Sequence, residues 1–269
     1  MRDKAFTGRA GLLYSAPVRF EAVPCSLDAV LALRELYCVE MRCQVIFSQI
    51  HARAGWTEMF ALRADGVLAG FGTKAVAGPW RERPTIIEFF VSPEQRLHVF
   101  RLFEALLAQA GALRIETQSN GTLLSHMLFA RSRDVVSESI LFEDKFTTGL
   151  PANSAMVKQV TPDTEIRAAM ERRGGGGEWQ LVVQGTTVGQ GGILFHYNRP
   201  YGDLYMGIEE QFRRRGFGSY FVQELKRACR ALGAIPAARC NPDNLASRNT
   251  LQKAGFVPCG HLLTGSIMK

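Results

Sequence analysis

The stretch from Asp203 to Ala228, DLYMGIEEQFRRRGFGSYFVQELKRA, constrains the fold of this 269-residue chain more than any other. It begins with an aromatic-rich apolar run that ends at Ile208 and continues through three arginines and two glycines. Apolar residues then recur at helical spacing, at Phe217, Tyr220, Phe221, Leu225, Cys229 and Leu232. The stretch therefore predicts a strand, a glycine-rich turn and an amphipathic helix in immediate succession.

The turn has the chemistry of a phosphate-binding site. The first N–H groups of a helix have no partner inside it, and the helix dipole makes that end positive. Gly216 and Gly218 carry no Cβ, so an anion can approach the backbone closely, and Arg213, Arg214 and Arg215 add positive charge around it. A single G-x-G is a weak signal, so the residues on either side of it decide how it is interpreted.

The full spacing is Ile208-x-Glu210-x-x-Arg213-x-x-Gly216-x-Gly218. It resembles the acyl-CoA-binding motif of the GCN5-related N-acetyltransferases (GNAT), V-x-P-x-x-R/Q-x-x-G-x-G/A, with Glu210 in place of the usual proline. A second family signature, N-x-x-S/A-x-x-x-h-x-K-x-G-F, is matched from Asn244 to Phe256. The two signatures together make the second half of the chain similar to a GNAT domain.

The resemblance implies acetyl-CoA as cosubstrate and transfer of its acetyl group to a primary amine. The strand before the turn is expected to splay from its neighbour, so that backbone groups meet the pantetheine arm. N–H groups of the turn would hold the pyrophosphate, and two residues of the second signature would lie near the pantetheine and the departing sulfur. The residues implied are Met206, Gly207, Ile208, Arg213, Arg214, Arg215, Gly216, Phe217, Gly218, Ser219, Asn244 and Ser247.

Attack on a thioester requires a neutral amine, and an alkyl amine titrates near 10.4, so a proton acceptor is needed. Asp203 and Tyr205 are the catalytic candidates, with His196 as a further base. A β-bulge is expected here, so the face that Asp203 occupies stays open, as does its reading as a turn residue. Many relatives donate a proton to the thiolate from a tyrosine where this chain has Leu251.

Because Leu251 stands where many relatives have that tyrosine, the sequence leaves more than one class of function open. One alternative is a non-catalytic protein of the same fold that binds or senses coenzyme A. Another is a transferase that uses a longer acyl or an aminoacyl donor. The acceptor is not specified by the sequence.

The first half shows the same order of strands and helices and is predicted to be a second copy. Val91 to Arg96 matches V-x-P-x-x-R, but Val99 and Arg101 stand where the two glycines belong, and no K-x-G-F follows near Asn120. The first copy is therefore predicted to have lost its cofactor loop. It is a candidate to supply acceptor contacts through Trp56, Trp80, Glu88, Phe89 and Phe90.

The predicted fold class is α/β (α+β), with two tandem GNAT-like domains, each a mixed, mostly antiparallel twisted sheet flanked by helices. The boundary is placed in TTGLPA, giving a degenerate domain at 1–147 and an acetyltransferase domain at 148–269. Strand pairs are expected at 135–146 and at 256–267, and a short helix is expected over 163–172. The glycine run 174–177 is expected to be a turn, because it lacks the G-K-[ST] of a P-loop.

The composition limits the binding partners and the cellular compartment that we expect for this protein. The formal net charge is +7, but the basic residues are scattered apart from the arginine cluster, which argues against nucleic acid. The six cysteines form no C-x-x-C and no zinc spacing, so reduced thiols, no metal and a cytoplasmic location are expected. No apolar run has the length of a signal peptide or a membrane span. The tandem copies either replace the dimer of single-domain relatives or pair further into a homodimer.

Overall fold

The structure is a computed structural model that describes residues 17–41, 44, 48–160, 175–196 and 198–268. Strands dominate, and each half places its helices after comparable strands. The strands are β1 Phe20–Cys25, β2 Thr57–Ala64, β3 Val67–Ala75, β4 Thr85–Val91, β5 Arg114–Gln118, β6 Ser132–Asp144, β7 Ala155–Val160, β8 Gly175–Val183, β9 Thr186–Leu194, β10 Tyr201–Ile208, β11 Ile235–Cys240 and β12 Phe256–Ile267. The helices are α1 Leu31–Met41, α2 Val99–Ala110, α3 Thr122–Arg131, α4 Phe217–Ala231 and α5 Leu245–Lys253.

The described strands form one twelve-stranded sheet in the order β1-β2-β3-β4-β5-β12-β6-β11-β10-β9-β8-β7. The order is symmetric about its centre, because each half contributes five strands in sequence and then exchanges its last strand with the other half. β12 pairs antiparallel with β5 of the first half, and β6 pairs antiparallel with β11 of the second. β6 and β12 also pair with each other, so the two GNAT-like halves share one continuous sheet.

Each half buries its own core against the sheet. In the first half, Leu102, Phe103 and Leu106 of α2 are fully buried against β2 to β5, and α1 covers the opposite face over Phe71 and Phe90. In the second half, α4 buries its apolar side on strands β8 to β11, through Phe217, Phe221, Val222, Leu225 and Cys229. The helical periodicity seen in the sequence is therefore the buried face of α4.

Both halves open their sheet at one parallel pair of strands. β10 pairs with β11 only from Tyr201 to Asp203, although β10 continues to Ile208. β4 pairs with β5 only at Thr85 and Ile86, although β4 continues to Val91. The splay predicted before the turn is therefore present, and it occurs twice.

Two local expectations were wrong, for reasons of strand pairing, and a third is not tested. Gly175 and Gly177 lie in β8 rather than in a turn, because they extend its pairing with β9 past an irregularity, and the Trp179 indole lies where a Cβ of Gly177 would be. The strand pairs expected at 135–146 and 256–267 are each one long strand, since β6 and β12 run along each other through bulges. The helix expected over 163–172 lies outside the described residues.

The segment after β6 is fixed to α4 rather than free. The Gln223 side-chain oxygen accepts hydrogen bonds from the Thr148 hydroxyl at 2.8 Å and from the Leu150 N–H at 2.7 Å. Below it, the buried Lys226 ammonium pairs with Asp144 at 2.7 Å and donates to the carbonyls of Phe146 and Ala254. These contacts tie α4 to the end of the exchanged strand β6.

Candidate active site

The turn between β10 and α4 has the geometry of an anion site. Gly216 has φ of 82° and ends the turn, a conformation that a residue with a Cβ adopts only under strain. The Arg213 Nε–H donates to the Ile208 carbonyl at 3.0 Å, which closes the turn on itself. Among the described residues no side chain caps α4, so its first N–H groups remain available to a ligand.

The predicted turn residues divide into two groups. Arg213, Arg214, Arg215 and Gly216 are exposed, and none of the three guanidiniums forms an ion pair within the described part of the chain. Phe217 and Ser219 have buried side chains, so only their backbone can face a ligand. The turn therefore offers backbone donors at its centre and exposed positive charge around them.

The splayed edge of β10 continues from this turn. Gly207 is exposed, and a Cβ built on it would meet nothing within 4 Å, whereas Met206 and Ile208 pack towards α4. Gly218 lies under Met206, and a Cβ there would come within 3.3 Å of the Thr250 methyl group. Small residues at 207 and 218 thus keep the edge open and let α4 and α5 approach each other.

The second signature has a largely structural role. The Asn244 side-chain oxygen accepts from the Ser247 N–H at 2.9 Å and caps α5, so that oxygen is already occupied. Gly255, with φ of 89°, lies so close to the Phe146 carbonyl that a Cβ would reach 2.1 Å from its oxygen. Leu251 is 6% exposed and packs in the core of the second half. Sequence alone identified these positions but not which of them serve folding.

Asp203 lies at the closed end of the splay, next to two basic side chains. Its Oδ2 atom is 3.2 Å from His196 Nε2 and 3.7 Å from an Arg239 guanidinium nitrogen, and the residue is only 8% exposed. The β9–β10 register is regular from Asp203 to Ile208, so the bulge expected there is absent. Asp203 and Tyr205 therefore share the face opposite α4, since Leu204 between them is in the core with that helix.

Tyr205 is exposed and lies across β9. Its ring occupies the space where a Cβ of Gly192 would be, and its hydroxyl donates to a Glu178 carboxylate oxygen at 3.5 Å. Tyr205 is thus accessible but leans over β9 and β8, away from β11, whereas Asp203 is enclosed.

A cavity of about 620 Å³ lies between the two halves, a size typical of small-molecule sites. It is lined by Arg239 and strand β12 from the second half and by Trp80, Arg83, Arg114 and Glu116 from the first. A smaller cavity of about 210 Å³ shares Trp80 and is lined by Trp56 and His196. Of the first-half residues expected to contact an acceptor, Trp80 and Trp56 line cavities, whereas Glu88, Phe89 and Phe90 are buried.

Sequence reasoning missed Glu116 and Arg239 as site residues. Burial raises the pKa of Glu116 to about 7, although the Trp80 N–H donates to its carboxylate at 3.3 Å. Both residues carry a charge inside short strands whose other members are mostly buried, RIETQ and IPAARC. A charged residue inside such a strand was a signal in the sequence. The strand exchange that brings β5 and β11 to one cavity could not be predicted from the sequence.

The remaining chemistry is limited in the described part of the chain. No group of three His, Cys, Asp or Glu side chains there is arranged for a metal, and no helix there is long and apolar enough to cross a membrane. Cys25, Cys38, Cys229, Cys240 and Cys259 are free thiols, and Cys43 lies outside the described residues. Burial raises the pKa of the Cys229 thiol to about 12, so it is a packing residue rather than a nucleophile.

Comparison with known proteins agrees with this geometry. Residues 144–256 match the family model "Acetyltransferase (GNAT) family". No curated protein matches the chain. A GNAT-family acetyltransferase from Colwellia psychrerythraea has a similar structure, with a TM-score of 0.69 and 13% identity over 93% of this chain and 100% of that one.

Two further solved structures match the chain over most of its length. One is a tandem GNAT protein from the clavulanic acid biosynthesis pathway, with a TM-score of 0.59 and 13% identity, covering 93% of this chain and 99% of that one. The other is a GCN5-related N-acetyltransferase from Sphaerobacter thermophilus, with a TM-score of 0.57 and 13% identity, covering 94% and 96%. Residues 144–256 therefore match the GNAT family of acetyltransferases, and the whole chain shares the fold of solved GNAT proteins, including a tandem one.

Proposed function

We propose that the second half transfers an acetyl group from acetyl-CoA to a primary amine. The observation that carries this proposal is the combination of an uncapped α4 N-terminus, three exposed arginines without ion pairs and an open strand edge leading from them to Asp203. This arrangement matches an extended, phosphate-bearing ligand in both charge and length.

The residues present fit acetyl-CoA, which would supply an activated acetyl group. The backbone N–H groups from Gly216 to Ser219 and the guanidiniums of Arg213, Arg214 and Arg215 would hold the pyrophosphate. The unpaired edge of Met206, Gly207 and Ile208 would hydrogen-bond the pantetheine arm. Ser247 would lie beside the pantetheine arm. The side-chain oxygen of Asn244 already caps α5, so Asn244 would contact the cosubstrate through its amide nitrogen.

The proton from the amine would pass to the His196–Asp203 pair. The Asp203 carboxylate is enclosed and already lies against Arg239, at 3.7 Å, and against His196. The imidazole of His196 is the more accessible partner, and Asp203 would orient it and balance the charge it gains. Tyr205 is the proposed proton donor to the departing thiolate, because the tyrosine position of many relatives is the buried Leu251.

The first test is thermal unfolding with and without acetyl-CoA. A ligand at about a hundredfold over its Kd stabilises the folded state by roughly 2.7 kcal/mol, so the wild-type melting temperature should rise. Gly218→Glu should abolish the rise, because the new carboxylate lies against the pyrophosphate site. The paired change Arg214→Glu with Arg215→Glu, on exposed side chains, should do the same without altering packing against Thr250.

A matched control lies in the first half, where Arg101 stands in the position of Gly218. Arg101→Gln removes an exposed ion pair with Glu104 and should leave the response to acetyl-CoA unchanged. If wild type shows no rise at saturating acetyl-CoA, the proposed function fails. If Arg101→Gln loses the rise and Gly218→Glu keeps it, the cosubstrate binds in the other half.

A second candidate function is a protein that binds coenzyme A without turnover, which the burial of Leu251 favours. Product mass distinguishes the two. Incubation with acetyl-CoA and a panel of primary amines should give a product 42 mass units heavier for at least one acceptor, a mass that follows from replacing one N–H hydrogen by an acetyl group. Saturable binding of acetyl-CoA with no such product for any amine would support the second candidate.

A further inference from the structure

The cavity between the halves contains a carboxylate with which no cation of the described residues forms an ion pair. Glu116 is 9% exposed, and its carboxylate accepts a hydrogen bond from the Trp80 indole N–H at 3.3 Å. Arg114 and Arg239 lie near enough to affect its charge, but neither forms an ion pair with it among the described residues. A buried carboxylate without a paired cation is costly unless a ligand supplies one.

The surroundings of Glu116 suit an ammonium group. Glu82 and Glu138 line the same cavity and add negative charge that offsets the lining guanidiniums of Arg83, Arg114 and Arg239, while Trp80 places an indole at the wall. An indole face attracts an alkylammonium electrostatically, and carboxylates accept its N–H donors. Thr85 and Thr264 line the cavity as well and offer hydroxyl groups to a polar ligand.

The cavity lies near the proposed catalytic pair through two of its lining residues, Arg239 and Trp80. Arg239 lines the large cavity and approaches Asp203 to 3.7 Å. His196 lines the smaller cavity, which Trp80 also lines, and lies 3.2 Å from the same Asp203 oxygen. An acceptor held at Glu116 can therefore extend towards Asp203 and His196.

We propose that this cavity is the acceptor site and that Glu116 recognises a second basic group of the acceptor, remote from the amine that is acetylated. The substrate class is a dibasic amine. Glu116 belongs to the first half, so the half without a cofactor loop would set acceptor specificity. This proposal rests on the proposed function for the acetyl transfer itself, but not for the binding of the amine.

The binding test uses 1,5-diaminopentane, 1,8-diaminooctane and pentylamine, titrated calorimetrically into the protein with coenzyme A present. At least one diamine should bind about tenfold or more tighter than pentylamine, as expected for one hydrogen bond to a charged group. Glu116→Gln should reduce that preference to about onefold. Glu143→Gln, on an exposed carboxylate of β6 outside the cavity, is the matched control and should leave it unchanged.

The pH dependence separates recognition by Glu116 from a merely structural role. Because the Glu116 carboxyl ionises near pH 7 in the folded protein, diamine binding should tighten between pH 6 and pH 8 in wild type and in Glu143→Gln. In Glu116→Gln the part of this tightening that Glu116 contributes should be lost, since both amines of the ligand stay protonated, and the contrast with Glu143→Gln measures that part.

The outcomes distinguish this proposal from the proposed function. If neither diamine binds more tightly than pentylamine in wild type, or if Glu116→Gln keeps the preference, the dibasic-acceptor proposal is overturned even when acetyl-CoA binds. If the diamine preference depends on Glu116 but no amine is acetylated, the acceptor site stands and the transfer does not. Where turnover is found, Glu116→Gln should raise KM for the diamine and leave KM for acetyl-CoA unchanged.

Discussion

The two halves of the sheet open at equivalent places, but only the second half keeps the opening free. In the first half, Phe89 and Phe90 follow the splay on β4 and are fully buried, Phe89 against Phe103 and Phe90 against Tyr37. In the second half, the corresponding stretch of β10 holds exposed Tyr205 and Gly207. The same backbone thus becomes a core in one copy and a groove in the other, according to the side chains it carries.

The arginine before each helix shows the same contrast. The Arg96 Nε–H donates to the Val91 carbonyl at 3.4 Å, as that of Arg213 does to Ile208, so the turn is similar in both halves. Arg96 then pairs with Glu40 of α1 at 2.6 Å, whereas Arg213 forms no ion pair within the described residues. An internal ion pair thus holds the arginine of the first half, whereas the corresponding guanidinium of the second half is exposed and forms no ion pair among the described residues.

The largest expected effect concerns Glu88, which is 1% exposed and bonded to Arg34 at 2.9 Å, His51 at 2.8 Å and Thr73 at 2.9 Å. Glu88→Ala leaves Arg34 and His51 without their partner and should cost about 3–5 kcal/mol of unfolding free energy in urea. If the first half is structural, the affinity of the remaining folded protein for acetyl-CoA should not change. A weaker affinity of the folded Glu88→Ala protein for acetyl-CoA would contradict a purely structural role for the first half.

The contribution of Glu88 should depend on acid pH. Burial alone would raise the pKa of its carboxyl, but the His51 hydrogen bond and the Arg34 charge outweigh this and lower the pKa from 4.5 to about 2. The stabilisation is therefore present above pH 4.5 and is lost as the pH falls towards 2. Wild type and Glu88→Ala should converge in stability over that interval.

A smaller effect of opposite sign is expected at Glu116, whose pKa is raised to about 7 by burial. Above pH 4.5 the unfolded chain has released the Glu116 proton, whereas the folded state still holds it up to about pH 7. This carboxyl group therefore lowers the stability of the folded protein progressively as the pH rises to about 7. Glu116→Gln should therefore gain about 1–3 kcal/mol relative to wild type between about pH 5 and pH 8. Calorimetric melts at both pH values measure the difference, and a constant difference would mean that Glu116 is not buried as a free carboxyl.

The smallest expected effect lies at Asn244, which caps α5 in the second half, while α3 in the first half begins at Gly121 with no side-chain cap among the described residues. Asn244→Ala should cost about 1 kcal/mol of unfolding free energy. Asn244→Asp, which keeps the capping oxygen, should restore most of it. If acetyl-CoA affinity falls in both variants, Asn244 contacts the cosubstrate through its amide nitrogen as well as capping the helix.

Much of the second half was predictable from sequence because its information is local. The strand, turn and helix around Gly216 follow from periodicity, from a position that requires positive φ and from a helix start without a capping side chain. The loss of the loop in the first half was equally local, since Val99 and Arg101 replace glycines at a known spacing. The assignment of Asp203 and Tyr205 to catalysis remains a prediction.

Only the tertiary structure decided which distant residues come into contact. The exchange of β6 and β12 depends on pairing between strands more than a hundred residues apart, to which no local propensity corresponds. That exchange brings Glu116 and Arg239 to one cavity, and the regular β9–β10 register sets Asp203 beside His196. The sequence by itself determined a strand, a glycine-rich turn and a helix in succession, because neighbouring residues encode them. Only the packed sheet decided which distant charges face each other, because burial and pairing act between elements.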